Sequence, residues 1–132
     1  MQQIVPHAAW HVWPAILLLT VVAACDSSQP TSAVGGSSVP PEFQAGEAKF
    51  NANCAVCHGK QASGTSQGPP LVHKIYEPNH HGDAAFQRAA ANGVRAHHWE
   101  FGNMPKIEGV TPSDVDQITL YIRWLQRQAG IF

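Results

Sequence analysis

The clearest pattern of apolar and polar positions lies at the end of the chain. Val115, Ile118, Ile122, Leu125 and Ala129 recur every three or four residues, flanked by Tyr121 and Trp124. This predicts an amphipathic helix with the stripe turned inward. Thr111-Pro112-Ser113-Asp114 supplies a cap, a proline in the first turn and an acid three residues after the cap. Arg123 and Arg127 fall late, where positive charge favours the helix dipole, and Gly130 ends the helix. A middle helix is expected from Asp83 to Asn92, capped by Asp83, with Phe86 and Ala90 inward and Gly93 as its stop. A first helix is expected from about Glu42 or Phe43 to Cys54, with Phe43, Gly46 and Phe50 near one face. Gly46 inside a helix costs about 1 kcal/mol relative to Ala, and close contact with another helix would explain it. No stretch alternates as a strand does, so the expected fold is all-α with three main helices.

Two earlier stretches set the organisation. Residues 15–24 are an apolar run ending in small residues just before Cys25, like the core and cleavage site of an export signal. The run is shorter than the roughly 20 residues of a transmembrane helix. Val22-Ala23-Ala24-Cys25 resembles a bacterial lipobox, which implies cleavage before Cys25 and lipidation of that cysteine. No Lys or Arg precedes the run, unlike a usual signal. A plain secreted chain with a free thiol, or an uncleaved anchor, are the alternatives. Residues 26–41 read DSSQPTSAVGGSSVPP and cannot bury enough apolar surface to offset their ordering entropy. They are expected to be a disordered tether spanning about 20–25 Å. The division is therefore 1–24 signal peptide, 25–41 tether and 42–132 folded domain.

Charge narrows the picture. Eight Lys and Arg against nine Asp and Glu leave no electrostatic footprint for nucleic acid. Of three cysteines, two lie in Cys54-Ala55-Val56-Cys57-His58. That spacing is used to attach a c-type haem covalently, each sulfur adding to one vinyl group and the imidazole ligating iron. A thioredoxin-like pair would follow a strand, and none is visible. A zinc site would need two further ligands at suitable spacing. Iron held by His58 needs a sixth ligand, a water or an open site. Of two methionines Met1 would leave with the signal, and Met104 stands in Gly102-Asn103-Met104-Pro105. A thioether stabilises Fe(II) and raises the potential, and the proline after it stiffens the loop.

These residues together resemble the class I monohaem cytochrome c family. The matching residues are Gly46 and Phe50, the Cys54–Gly59 motif, Gly68-Pro69-Pro70-Leu71, Asn92-Gly93-Val94, Asn103-Met104-Pro105 and Tyr121, covering essentially all of 42–132. The resemblance implies a cytochrome c-like helical domain wrapped around one covalent haem c. It implies thioethers at Cys54 and Cys57, axial ligands His58 and Met104, and a first helix meeting the last where Gly46 faces Tyr121. It also implies that the Pro69 carbonyl accepts the second ring N–H of His58. Phe50, Pro69, Leu71, Tyr121 and Trp99 are expected in the haem pocket.

The eight histidines depart from that pattern. His97-His98 lies just before Met104, so a bis-histidine haem competes with the Met104 assignment. Arg95, His97 or Trp99 are candidates to contact a propionate. The pairs His80-His81 and His97-His98, with His73, are a candidate copper site, although adjacent histidines on a regular backbone point different ways. The expected role is a one-electron carrier, not an enzyme, serving redox protein partners from the bacterial periplasm and held to the membrane through a lipid on Cys25. The rival functions are a haem-based sensor or catalyst with a labile sixth ligand, and copper handling by the histidine pairs.

Overall fold

Four α-helices and two short 3-10 turns make up the structure, a computed structural model that describes residues 38–132. The expected signal, Cys25 and most of the tether lie outside the described residues. Helix α1 (Pro41–Asn53) has a proline in its first turn, where a missing N–H costs nothing. Helix α2 (Ala55–His58) is a single turn carrying the second half of the Cys-His motif. Helix α3 (Asp83–Asn92) and helix α4 (Pro112–Gln128) complete the set. The three main helices thus fall within a residue or so of their expected limits. Among the described residues the only ladder-like pairing is one antiparallel bridge between Val94 and Met104. Among them, too, no helix is long and apolar enough to cross a membrane.

The core forms where α1 packs on α4. Gly46 and Phe50 are the buried residues of α1. A Cβ at Gly46 would sit 2.1 Å from the Gln117 carbonyl oxygen and 2.9 Å from Tyr121 Cβ, so glycine is what lets the two backbones approach. Phe50 and Tyr121 are fully buried there with ring centroids 5.8 Å apart, and Phe43 stacks on Trp124 at 5.7 Å. Burying a side chain of this size contributes about 1.5–3 kcal/mol. Lys49 on α1 pairs with Asp114 on α4 at 2.6 Å, and Asp114 also closes the capping box with Thr111. Val39 is buried in the same core, so packing starts ahead of the expected boundary at 42.

Three local expectations are corrected. The cap of α3 is Gly82, not Asp83, because the Asp83 carboxylate is taken by the Arg123 guanidinium at 2.8 Å. Arg123 is not a solvated charge favouring the dipole. It is 5% exposed and donates to the Tyr76 and His81 carbonyls, Asp83 and Gln126. Ala129 drops out of the inward stripe because α4 ends at Gln128 and the chain turns away through Gly130.

Candidate functional site

A cavity of about 490 Å³ opens between α3, α4 and the loops on either side of α3. That lies within the usual 300–1,000 Å³ of cofactor pockets. Phe86, Ala89 and Ala90 of α3 and Val115, Ile118 and Ile122 of α4 form an apolar wall. Cys54, His58, Pro69, Leu71, Trp99 and Met104 line the same space.

The Cys-His motif is set by the break between α1 and α2. Cys54 caps α1, and its carbonyl accepts from the Cys57 and His58 amides at 3.1 and 2.9 Å. One turn therefore carries both thiols and the imidazole. Burial, with the Cys57 charge adding to it, pushes the Cys54 thiol up to about 11, so it stands as the neutral thiol. Cys57 is half-buried outside the cavity wall, its sulfur 4.0 Å from Gln67 Oε1. His58 is buried, and its Nδ1 lies 2.8 Å from the Pro69 carbonyl oxygen. Only a protonated Nδ1 can make that bond, which leaves the Nε2 lone pair to ligate. Burial pulls the His58 pKa down and the Pro69 bond partly restores it.

Met104 reaches the cavity from the loop after α3. Val94 and Met104 exchange backbone hydrogen bonds of 2.9 and 3.0 Å. The approach requires Gly93: its φ is 76°, and a Cβ there would lie 2.5 Å from the Met104 carbonyl oxygen. The loop is further held by the Ala96 amide on Asn103 Oδ1 at 3.0 Å.

The remaining pocket expectations divide. Pro69, Leu71 and Trp99 line the cavity, with Trp99 edge-on to His73 at 5.0 Å. Its indole also meets the Tyr76 side chain, a hydrogen bond that lowers the Tyr76 pKa against the larger rise that burial imposes. Phe50 and Tyr121 are corrected: they do not line the cavity but fill the α1–α4 contact behind it, where Gly46 leaves room for them. The Tyr121 hydroxyl is buried with no partner among the described residues, and burial together with the Glu47 charge raises its pKa.

The sequence reading missed the polar fastening of the cavity wall. Gln126, 1% exposed, donates to the Leu71 and Tyr76 carbonyls at 2.8 and 3.0 Å while accepting from Arg123. The only signal was two long polar residues at helical spacing beside an apolar stripe. His81, His97 and His98 also line the cavity, so the histidine pairs do meet. His73 stands apart from them, its Nδ1 accepting from the Ile75 amide at 3.2 Å. Desolvation and the charges of His97, His81 and His80 lower the His98 pKa.

A helical domain with two thiols and an imidazole on one turn, and a thioether on the wall of the same apolar cavity, is a haem-binding redox module by its chemistry. The cytochrome c family model matches residues 43–126, and the chain belongs to the cytochrome c family. Neither the curated proteins nor the solved structures give a match. Membership makes the cofactor a covalently attached haem c and the general role that of a haem-based electron carrier. The residues fit the group, with thiols at Cys54 and Cys57, an oriented imidazole at His58 and a largely apolar cavity.

Proposed function

We propose that this chain carries single electrons between redox protein partners, that His58 and Met104 would hold the iron of its haem c, and that it turns over no substrate of its own. The observation that carries this reading is that His58 and Met104 line one cavity and that each is fixed by hydrogen bonds to backbone in its wall, the His58 ring to the Pro69 carbonyl and the Met104 backbone to Val94. The chemistry a haem c supplies there is reversible one-electron exchange at iron. The protein's part is to hold it. Pro69 orients the imidazole, the Val94 bridge positions the thioether, and the α3 and α4 side chains exclude water. With His58 and Met104 both holding the iron, small molecules would be kept from it, and a rigid pocket would keep the geometry similar in both oxidation states. Val56, between the two cysteines, is 74% exposed, giving partners an apolar contact beside the attachment point. Encounters of this kind bury little surface and are brief.

Replacement of Met104 by Ala tests the assignment. The variant should keep its covalent pigment, lose the weak far-red absorption of a thioether–Fe(III) bond, bind carbon monoxide when reduced and show a lowered reduction potential. An unchanged potential and spectrum would overturn the ligand set. An unmodified chain that already lacks the far-red band and binds carbon monoxide would instead favour the sensor or catalyst.

The same reading tethers the carrier in the bacterial periplasm through a lipid on Cys25. The apolar run before Cys25 and the Ser-, Pro- and Gly-rich stretch after it support that placement. Two buried acyl chains give stable anchoring, and a leash raises the local concentration of membrane partners. Cys25→Ser should move the protein from the membrane to the soluble fraction, and continued sedimentation with membranes would overturn the lipid anchor.

A further inference from the structure

We infer that His80, His81 and His98 form a binding site for a divalent transition-metal ion of the Cu(II) or Zn(II) type, at the mouth of the haem cavity, whose occupancy raises the reduction potential of the haem. One nitrogen from each of the three rings lies within 4.8 Å of the others. Three imidazoles are a donor set that suits these ions, and Cu(II) is held most tightly among first-row divalent metals. Metal–nitrogen bonds of about 2.0–2.1 Å need the nitrogens somewhat closer. Rotation of the exposed His80 and His98 side chains supplies that closure.

The expected obstacle, that neighbouring histidines point apart, does not hold here. Residues 80 and 81 sit in a turn, not on a regular strand or helix, and both amides donate to the Glu77 carbonyl at 3.0 and 2.8 Å. Their rings lie parallel, 4.7 Å apart and 11° off coplanar. His98 then approaches both rings edge-on, at 5.1 and 5.2 Å. Stacking accounts for one pair but not for a third ring, from a loop on the other side of α3, completing a set of nitrogens.

The anchor of the set is His81. Its Nδ1 lies 2.6 Å from the Ile75 carbonyl oxygen, so Nδ1 carries the proton and Nε2 faces outward as a lone pair. A backbone carbonyl on the second ring nitrogen is the usual outer partner of a metal-bound histidine. The His81 carbonyl is in turn fixed by the buried Arg123 guanidinium. His97 stands beside the triad with its Nδ1 on the Arg95 carbonyl at 2.8 Å and is not one of the three. Because His81 and His98 also line the cavity, a bound dication adds positive charge beside the haem. That disfavours the more positive ferric state, and the low dielectric of the cavity strengthens the effect.

The test uses the full haem-loaded chain. Zn(II) titrated calorimetrically should bind as a single ion per chain, with a zinc-edge absorption spectrum showing imidazole ligands and the haem optical spectrum unchanged. The His80→Ala/His98→Ala variant, its folding checked by an unaltered haem spectrum, should lose more than the about 10- to 100-fold in affinity that removing an outer partner costs. His73→Ala should bind as the parent does. Zinc should raise the potential of the parent and leave that of the double variant unmoved. Equal binding by the double variant, or loss of binding in His73→Ala, would overturn the site. Tight binding with no change in potential would overturn the coupling. The binding measurement does not depend on the electron-carrier reading, so the two can fail separately.

Discussion

Arg123 makes four side-chain hydrogen bonds, to Asp83, to the Tyr76 and His81 carbonyls and to Gln126. It is nearly fully buried, yet its ionic partner Asp83 is 73% exposed, so the interaction is chiefly a buried fork of charge-assisted hydrogen bonds to two loop carbonyls and a glutamine. Replacing it with Met should cost about 3 kcal/mol, since the carbonyls of Tyr76 and His81 and the Gln126 amide oxygen lose a charged donor. Chemical denaturation of the holoprotein measures this, and a loss under 1 kcal/mol would contradict the fork. Lysine should not rescue it, having no planar fork. None of this was legible in the sequence, where an arginine late in an amphipathic helix reads as solvated. Cys54, Cys57 and His58 were legible because their chemistry depends on spacing over a few residues, whereas Met104 was singled out as the methionine left once Met1 is set aside and by the family resemblance, and the structure puts it on the cavity wall. Tyr121 was legible at the helix contact, where the family resemblance set it against Gly46, whereas Phe50 was legible only as an inward residue, since periodicity says which face turns inward and not what it meets.

Between elements, Asp114 joins the start of α4 to α1. The Lys49 hydrogen bond, then those of Thr111, hold its carboxyl well below the usual carboxylate range. A carboxyl depressed in the folded state stabilises above its unfolded pKa of about 3.9, and the contribution is lost as pH falls toward the folded value. Asp114→Asn should therefore be less stable than the parent at neutral pH, and the gap should narrow below about pH 4. Urea midpoints over that range measure it, and a gap independent of pH would remove the charge from the explanation. Helix limits were legible because prolines, the capping box and glycines act locally. The turn after the haem motif was not. Gln61 and Ala62 adopt positive φ of 55° and 56°, a conformation neither residue type prefers, and it is held by tertiary bonds such as the Leu71 amide on the Ala62 carbonyl at 2.8 Å.

For the molecule as a whole, the cavity dominates. Without a haem the apolar walls of a cavity of about 490 Å³ stand open to water, and a small domain has only about 5–15 kcal/mol of stability to set against that loss. The Cys54→Ala/Cys57→Ala variant should emerge without covalent pigment, show no cooperative unfolding transition and be digested rapidly under conditions that leave the parent intact. Limited proteolysis against the parent measures this, and a resistant, cooperatively folded variant would overturn it. The cavity was legible through the pocket residues that the family resemblance implies, of which Pro69, Leu71 and Trp99 line it. The two histidine pairs were legible as a candidate copper site, but which three rings converge, and that His73 stays out, was not, because that arises from how α3 brings two distant loops together.

That dependence on the pigment makes shape a record of maturation. A polypeptide that misses its attachment step stays open to degradation, whereas one that completes it becomes resistant. Quality control needs no dedicated inspector here. The steady-state amount of the carrier should follow the supply of haem more closely than the rate at which the chain is translated.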